Sequence, residues 1–206
     1  MEQAGAFPDV VIGCVGGGSN FAGLAFPFLR EKIAGREIDV LACEPAACPT
    51  LTRGLFAYDF GDTGKLTPLV PMHTLGHDFI PAPIHAGGLR YHGVAPLISQ
   101  LVRDGLIRAE AYLQRDCFAA AVEFARSEGI LPAPEASHAI LGALQTARAA
   151  DESGEEKTIL FNLSGHGHFD MAAYDNYFGG KLEDVALDEA EIERALAAIE
   201  GLPTPA

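Results

Sequence analysis

The 206-residue chain carries 49% apolar and 20% charged side chains, enough apolar material for one domain or a little more to bury a core. Its formal charge of −14, from 28 acidic against 14 basic residues, repels a polyphosphate backbone, and no Lys/Arg cluster offsets it, which excludes nucleic acid as a partner. The opening residues lack a basic region followed by an apolar stretch, and later apolar runs are cut by Gly, Pro or charge, so neither export nor a membrane span is expected. Cys14, Cys43, Cys48 and Cys117 form no CxxC pair, which fits a reduced, cytoplasmic protein. Cys43 and Cys48 lack a further Cys or His pair at zinc-like spacing, and no metal site is expected from them.

In chain order, 9–15 (DVVIGCV) is a β-branched run ending in glycines, followed by helical spacing from Phe21 to Ile33, closed by Gly35. With a second buried strand at 38–44 (IDVLACE), the first 45 residues predict a right-handed βαβ unit and an α/β fold, a parallel sheet with helices on both faces. From Pro45 to Pro96 the chain is rich in Pro, Gly and His without a sustained period, and it is predicted to be irregular and to line a site. Order returns at Asp116, as the cap of a helix running to Gly129. A second helix follows from near Glu135 to Arg148, with a charged surface loop at 151–156. The run 158–163 (TILFNL) predicts a third buried strand, and Asp188 caps a last amphipathic helix, 189–200, with Ile192, Leu196 and Ile199 inside.

Between the first strand and its helix stands Gly16-Gly17-Gly18-Ser19-Asn20. Residues without side chains let backbone amides converge on an anion at a helix N-terminus. A tight turn with Ser19 or Asn20 as a mere cap explains the run equally well. No Lys-Ser/Thr follows, and the glycine spacing is not that of a dinucleotide fold, so a phosphate monoester fits best among anions. Ser164 follows the third strand and precedes glycines, at the end of a parallel sheet where ligands bind. It is either a turn cap or a partner that donates to, or accepts from, a ring nitrogen. Glu135 stands in a stiff approach to a helix N-terminus, where the dipole alone favours a carboxylate; the alternative is a carboxylate placed against a cofactor ring. The phosphate reading requires all three sites to open onto one crevice. His166, His168 and Asp170 fit a solvent-lining loop better than a metal site, and His73, His77, His85 and His92 read as hydrogen-bonded structural residues.

Six ordered blocks between Cys14 and Asp170 carry a resemblance: CVGGGSNFAGLAFPF, ACEPAACPTLTRG, YDFGDT, TLGHDFIPAPIHAGGLRYHG, EGILPAPEASHAI and FNLSGHGHFD. Together they resemble the tryptophan synthase beta chain, and the Leu89-Arg90-Tyr91-His92 run marks its second, beta-like subgroup. The resemblance implies a fold-type II pyridoxal-phosphate enzyme that joins L-serine to indole, giving L-tryptophan. It implies that Gly16, Gly17, Gly18, Ser19 and Asn20 hold the cofactor phosphate, that Ser164 faces the pyridine nitrogen, and that Glu135 lies beside the ring. A monovalent cation near the stretch from Gly87 to Gly93 and a homodimer in the complete enzyme belong to the same implication, which leaves open whether an alpha subunit binds and whether L-serine or O-phosphoserine is the substrate. Serine or threonine dehydratases of this fold type share the glycine loop but not the LRYHG and SGHGHFD runs, and a non-catalytic phosphate-binding remnant is the other alternative.

One departure from the family is large. The Schiff-base lysine of the family lies in a His-Lys-Asn-type motif well before the glycine loop, and here fifteen residues precede that loop. None of Lys32, Lys65, Lys157 and Lys181 occupies an equivalent place. The expectation is therefore a single C-terminal, cofactor-phosphate-binding domain spanning 1–206, a fragment or truncated frame without the lysine-bearing N-terminal domain and inactive by itself.

Overall fold

The structure, a computed structural model, describes residues 2–205. Strand β1 (Val10–Cys14) leads into helix α1 (Ser19–Ile33), strand β2 (Asp39–Pro45) and the short helix α2 (Thr50–Arg53). Strands β3 (Leu55–Phe60) and β4 (Leu69–Thr74) follow, then helix α3 (Pro96–Arg103), strand β5 (Arg108–Tyr112) and helices α4 (Gln114–Glu128) and α5 (Pro134–Ser153). Strand β6 (Ile159–Phe161) and helices α6 (Met171–Phe178) and α7 (Glu189–Leu196) complete the chain.

Four strands form a parallel sheet in the order β5-β2-β1-β6. Alternation along the buried strands sorts the core into two layers. Val10, Ile12, Cys14, Leu41 and Cys43 pack with Cys117 and Ala120 of α4 and Ala139, Ile140 and Ala143 of α5. Val11, Val40 and Ala42 pack with Phe21, Ala25 and Leu29 of α1 and with Ile98 of α3. Helices therefore cover both faces. The chain leaves β1 toward β2 on one side and returns as β6 on the other, so the strand order reverses beside the C-terminal ends of β1 and β6, where α/β sheets open a crevice.

Several sequence expectations are corrected. The stretch from Pro45 to Pro96 is not wholly irregular: it contains α2, a 3-10 turn at Gly87–Leu89 and an antiparallel pair, β3 with β4, in register from Leu55↔Thr74 to Phe60↔Leu69. Order resumes at Pro96 rather than Asp116, because proline suits a first helical turn and opens α3. Asp116 does not cap α4; Leu113 holds the cap position and Asp116 lies in the first turn, where a carboxylate favours the dipole. Helix α5 continues past Arg148 through Asp151 until Gly154, at φ 72°, closes it in the left-handed region, so the charged loop is shorter than expected. Strand β6 covers only three residues and is half-buried, as its place at the sheet edge requires. At the last helix Asp188 caps as expected, accepting from the Glu191 amide at 2.7 Å, but α7 gives way to a 3-10 turn at Ala197–Ile199.

Candidate functional site

A cleft of about 600 Å³ opens at the reversal of strand order, and the residues from Gly16 to Asn20, Glu135 and Ser164 all line it. Its sheet-side wall is the turn from β1 to α1. At φ 107° Gly18 takes a backbone conformation that L side chains rarely adopt, and it sits at the N-cap of α1 without a side-chain cap. A Cβ at Gly16 would stand 2.8 Å from both the Gly88 carbonyl oxygen and the Leu89 Cα, so only glycine lets the 3-10 turn lie against this loop. Among the described residues the amides of Gly16, Gly17, Gly18, Ser19 and Asn20 donate to no protein acceptor, and the first turn of α1 contains no acidic side chain. A row of unsatisfied N–H groups at an uncapped helix N-terminus is suited to an anion.

The opposite wall comes from the 3-10 turn and the segment after it. Gly88, Leu89, Tyr91, His92, Gly93 and Val94 line it, and the Ala95 amide donates to the Gly17 carbonyl at 3.0 Å, joining the two walls. Glu135, in the first turn of α5, accepts from the Gly88 amide at 2.8 Å and straps the turn to the helix.

Ser164 lies beyond β6. Its Oγ accepts from the Asn20 amide nitrogen at 2.6 Å, and the Asn20 carbonyl oxygen accepts from the Asn162 side chain. Cys14 Sγ stands 4.0 Å from the same Oγ, and burial pushes its thiol up to about 11, so it stays protonated at neutral pH. Sequence reasoning did not single out Cys14 or Asn162, whose partners lie 150 and 142 residues away along the chain. Tyr91 stood only as a member of a subgroup marker, and His92 as that and as a hydrogen-bonded structural residue.

Most of the other singled-out residues stay outside the cleft. His77 is buried and pairs through Nδ1 with Asp59 at 2.5 Å, while His92, which does line the cleft, sets Nε2 2.8 Å from the Phe60 carbonyl oxygen. The exposed rings of His166 and His168 lie 4.7 Å apart, and among the described residues no group of three or more His, Cys, Asp or Glu is arranged to hold a metal ion. Lys32 donates to the Leu106 carbonyl at 2.9 Å and Lys157 pairs with Glu155; no lysine is among the residues lining the cleft.

A parallel sheet with a glycine turn of free amides at its reversal point is the setting in which the family comparison is read. The pyridoxal-phosphate dependent enzyme family matches residues 1–165, and the chain belongs to that family. Among curated relatives, the tryptophan synthase beta chain 2 of Aquifex aeolicus is 62% identical over 188 residues, covering 89% of this chain and 43% of that protein. The proteins of the same name from Methanosarcina mazei and Thermotoga maritima are 59% and 58% identical, covering 89% and 84% of this chain and 42% and 41% of theirs. The chain thus spans less than half the length of these relatives. A crystal structure of a fungal L-serine ammonia-lyase from Rhizomucor miehei superposes with a TM-score of 0.63 at 16% identity, over 88% of this chain and 52% of that one, and shows a shared fold. No described helix is long and apolar enough to cross a membrane.

The residues present fit the family's cofactor. A cradle closed to any Cβ at Gly16, free amides along it and a hydroxyl just beyond the neighbouring strand β6 match a phosphate ester carried on a polar ring.

Proposed function

We propose that residues 1–206 form the cofactor-phosphate-binding domain of a tryptophan synthase of the beta type, which replaces the hydroxyl of L-serine with indole to make L-tryptophan. The single observation behind this reading is the meeting of the glycine turn, Glu135 and Ser164 on one cleft, in a chain 62% identical to a protein of that name. When bound, pyridoxal phosphate supplies an aldehyde for the amino group and a ring that accepts electrons from the α-carbon. The amides from Gly16 to Asn20 bind its phosphate. Glu135 holds the Gly88 wall against the ring, and Ser164 offers the ring nitrogen a neutral partner. A carboxylate there would keep that nitrogen protonated and strengthen the electron sink, whereas elimination and replacement need a restrained one. Covalent capture and removal of the α-proton need an amine, and this comes from outside the 206 residues, since no lysine lines the cleft. The complete enzyme works as a homodimer, with an alpha subunit as a further partner.

Co-expression with the remaining N-terminal part of the Aquifex aeolicus relative tests this. The expected result is a complex that absorbs as a cofactor-loaded enzyme and converts L-serine and indole to tryptophan, while the 206-residue chain alone does neither. Tryptophan formation by the chain alone, or a loaded complex that only deaminates serine, would contradict the proposal.

A further inference from the structure

Asp59 and His77 are paired in the interior, with side chains 0% and 1% exposed and Nδ1 standing 2.5 Å from Oδ1. The Asp59 carboxylate also accepts from the Phe60 amide at 2.7 Å and from the Thr74 hydroxyl at 2.6 Å, both set in place by the β3–β4 pair. An imidazole holds a proton more readily than a carboxyl group, so the shared proton sits on Nδ1, and the ring gains or loses a proton at Nε2 alone. That nitrogen is buried and has no hydrogen-bond partner among the described residues, which leaves a desolvated group unsatisfied. Asp78 Oδ2 lies 4.0 Å from it, on a side chain that is 61% exposed and has no other partner among the described residues.

The turn that carries His77 and Asp78 is fixed at its base. Gly76, at φ 95°, comes so close to α7 that a Cβ would stand 2.1 Å from the Ala195 carbonyl oxygen, and the Phe79 amide donates to the Gly76 carbonyl at 2.9 Å. The chain then reaches Pro81, whose carbonyl accepts from Arg90 at 2.8 Å, next to Tyr91 of the cleft wall. Other ionisable groups lie around the pair, and none of them bonds Nε2. Glu191 and Arg194 of α7 share a surface hollow with Asp78, and Glu191 accepts from the Asp188 amide. His73 on β4 packs against the Phe56 ring, and His92 bonds the carbonyl of Phe60, whose ring His77 meets edge-on. We propose that His77 and Asp78 form a proton-operated hook on the segment leading to the cleft wall. When Nε2 takes a proton from solvent, the Asp78 carboxylate swings in to accept from it, and the turn from Gly76 to Pro81 is fastened to the interior. When the proton leaves, Asp78 returns to water and the turn loosens. The hook needs no bound cofactor and stands apart from the pyridoxal-phosphate reading.

Histidine-ring ¹⁵N NMR of the 206-residue chain between about pH 5 and about pH 8 tests it. Nδ1 is expected to stay protonated throughout while Nε2 changes, and the Asp78 carboxylate ¹³C resonance should follow with the same midpoint. Asp78→Asn keeps the shape at an exposed position and removes the charge; Nε2 should then take up its proton at least about threefold less readily. Asp78→Glu should restore part of that loss, and Glu191→Gln, which removes the neighbouring carboxylate, should change the uptake by less than about twofold. Amide exchange from Asp78 to Ile80 should be at least about threefold slower in the parent than in Asp78→Asn at the acid end, and equal in the two at the alkaline end. An Nε2 that keeps one protonation state throughout, or a midpoint unmoved by Asp78→Asn, overturns the hook. So does a shift as large in Glu191→Gln as in Asp78→Asn, or equal exchange in parent and Asp78→Asn at the acid end.

Discussion

The two walls of the cleft are held by different forces. On the sheet side, the glycine turn grows out of β1, whose Val11 and Ile12 are wholly buried between apolar layers. On the other side, the stretch from Ala46 to Pro96 is pinned by buried polar groups. Glu44 accepts from the amides of Leu51 and Thr52, each at 2.8 Å, and from the Thr52 hydroxyl at 2.6 Å. Asp59 accepts from the Thr74 hydroxyl at 2.6 Å and pairs with His77, while Ser99 accepts from the His73 amide and donates to the Val94 carbonyl. The reason is the backbone. A regular sheet satisfies its own N–H and C=O groups, whereas a chain broken by Pro and Gly needs side chains to do so. Apolar area is non-directional and indifferent to pH; the polar wall fails bond by bond, each loss leaving a buried orphan.

Substitutions can break or sharpen this contrast. The largest effect is expected for Asp59→Ala, which strands the buried His77 and Thr74 and should cost roughly 3–5 kcal/mol; Val11→Ala in the dry wall should cost about 2 kcal/mol. Denaturant midpoints compare them, and equal losses would erase the difference between the walls. Next comes pH. Burial raises the Glu44 carboxyl from the usual 4.5 to about 7, against the pull of its Thr52 and Leu51 hydrogen bonds. Because the folded chain holds this proton more tightly than the unfolded one, the contribution is full below pH 4.5 and is lost as pH rises through 7, by roughly 3 kcal/mol in all. The slope should vanish in Glu44→Gln, as read from unfolding curves across that range. Gly16→Ala forces its Cβ into the Gly88–Leu89 backbone and should cost about 1–3 kcal/mol, with at least tenfold weaker phosphate binding by calorimetry. Gly17→Ala meets only the Tyr91 ring, at 3.4 Å, and should bind nearly as the parent does. Smallest is Glu135→Ala, which frees the Gly88 amide and should cost about 1 kcal/mol in thermal unfolding.

What the sequence made legible follows the same division. β1, the glycine turn and α1 were readable because β-branched residues, side-chain-free residues and helical spacing follow one another within 25 residues, from Asp9 to Ile33. The β3–β4 pair was not, since its buried alternation is incomplete: β3 runs exposed at Leu55 and buried only at Ala57 and Asp59, and the latter is a carboxylate. β5 was missed because Arg108 and Glu110 make it look like surface, although Arg108 is paired with both Asp39 and Glu110. The glycines, Glu135 and Ser164 were each legible as candidates from their positions at element ends. The bond from Asn20 to Ser164 spans 144 residues, and only the register of β1 against β6 brings it about.

The central claim is that the amides from Gly16 to Asn20 hold a phosphate ester. Titrating the ¹⁵N-labelled chain with pyridoxine 5′-phosphate while following its amide proton shifts tests it most directly. Saturable downfield shifts confined to Gly16 through Asn20, and lost in Gly16→Ala, are the expected result. Shifts centred elsewhere, or an unchanged titration in Gly16→Ala, would contradict it.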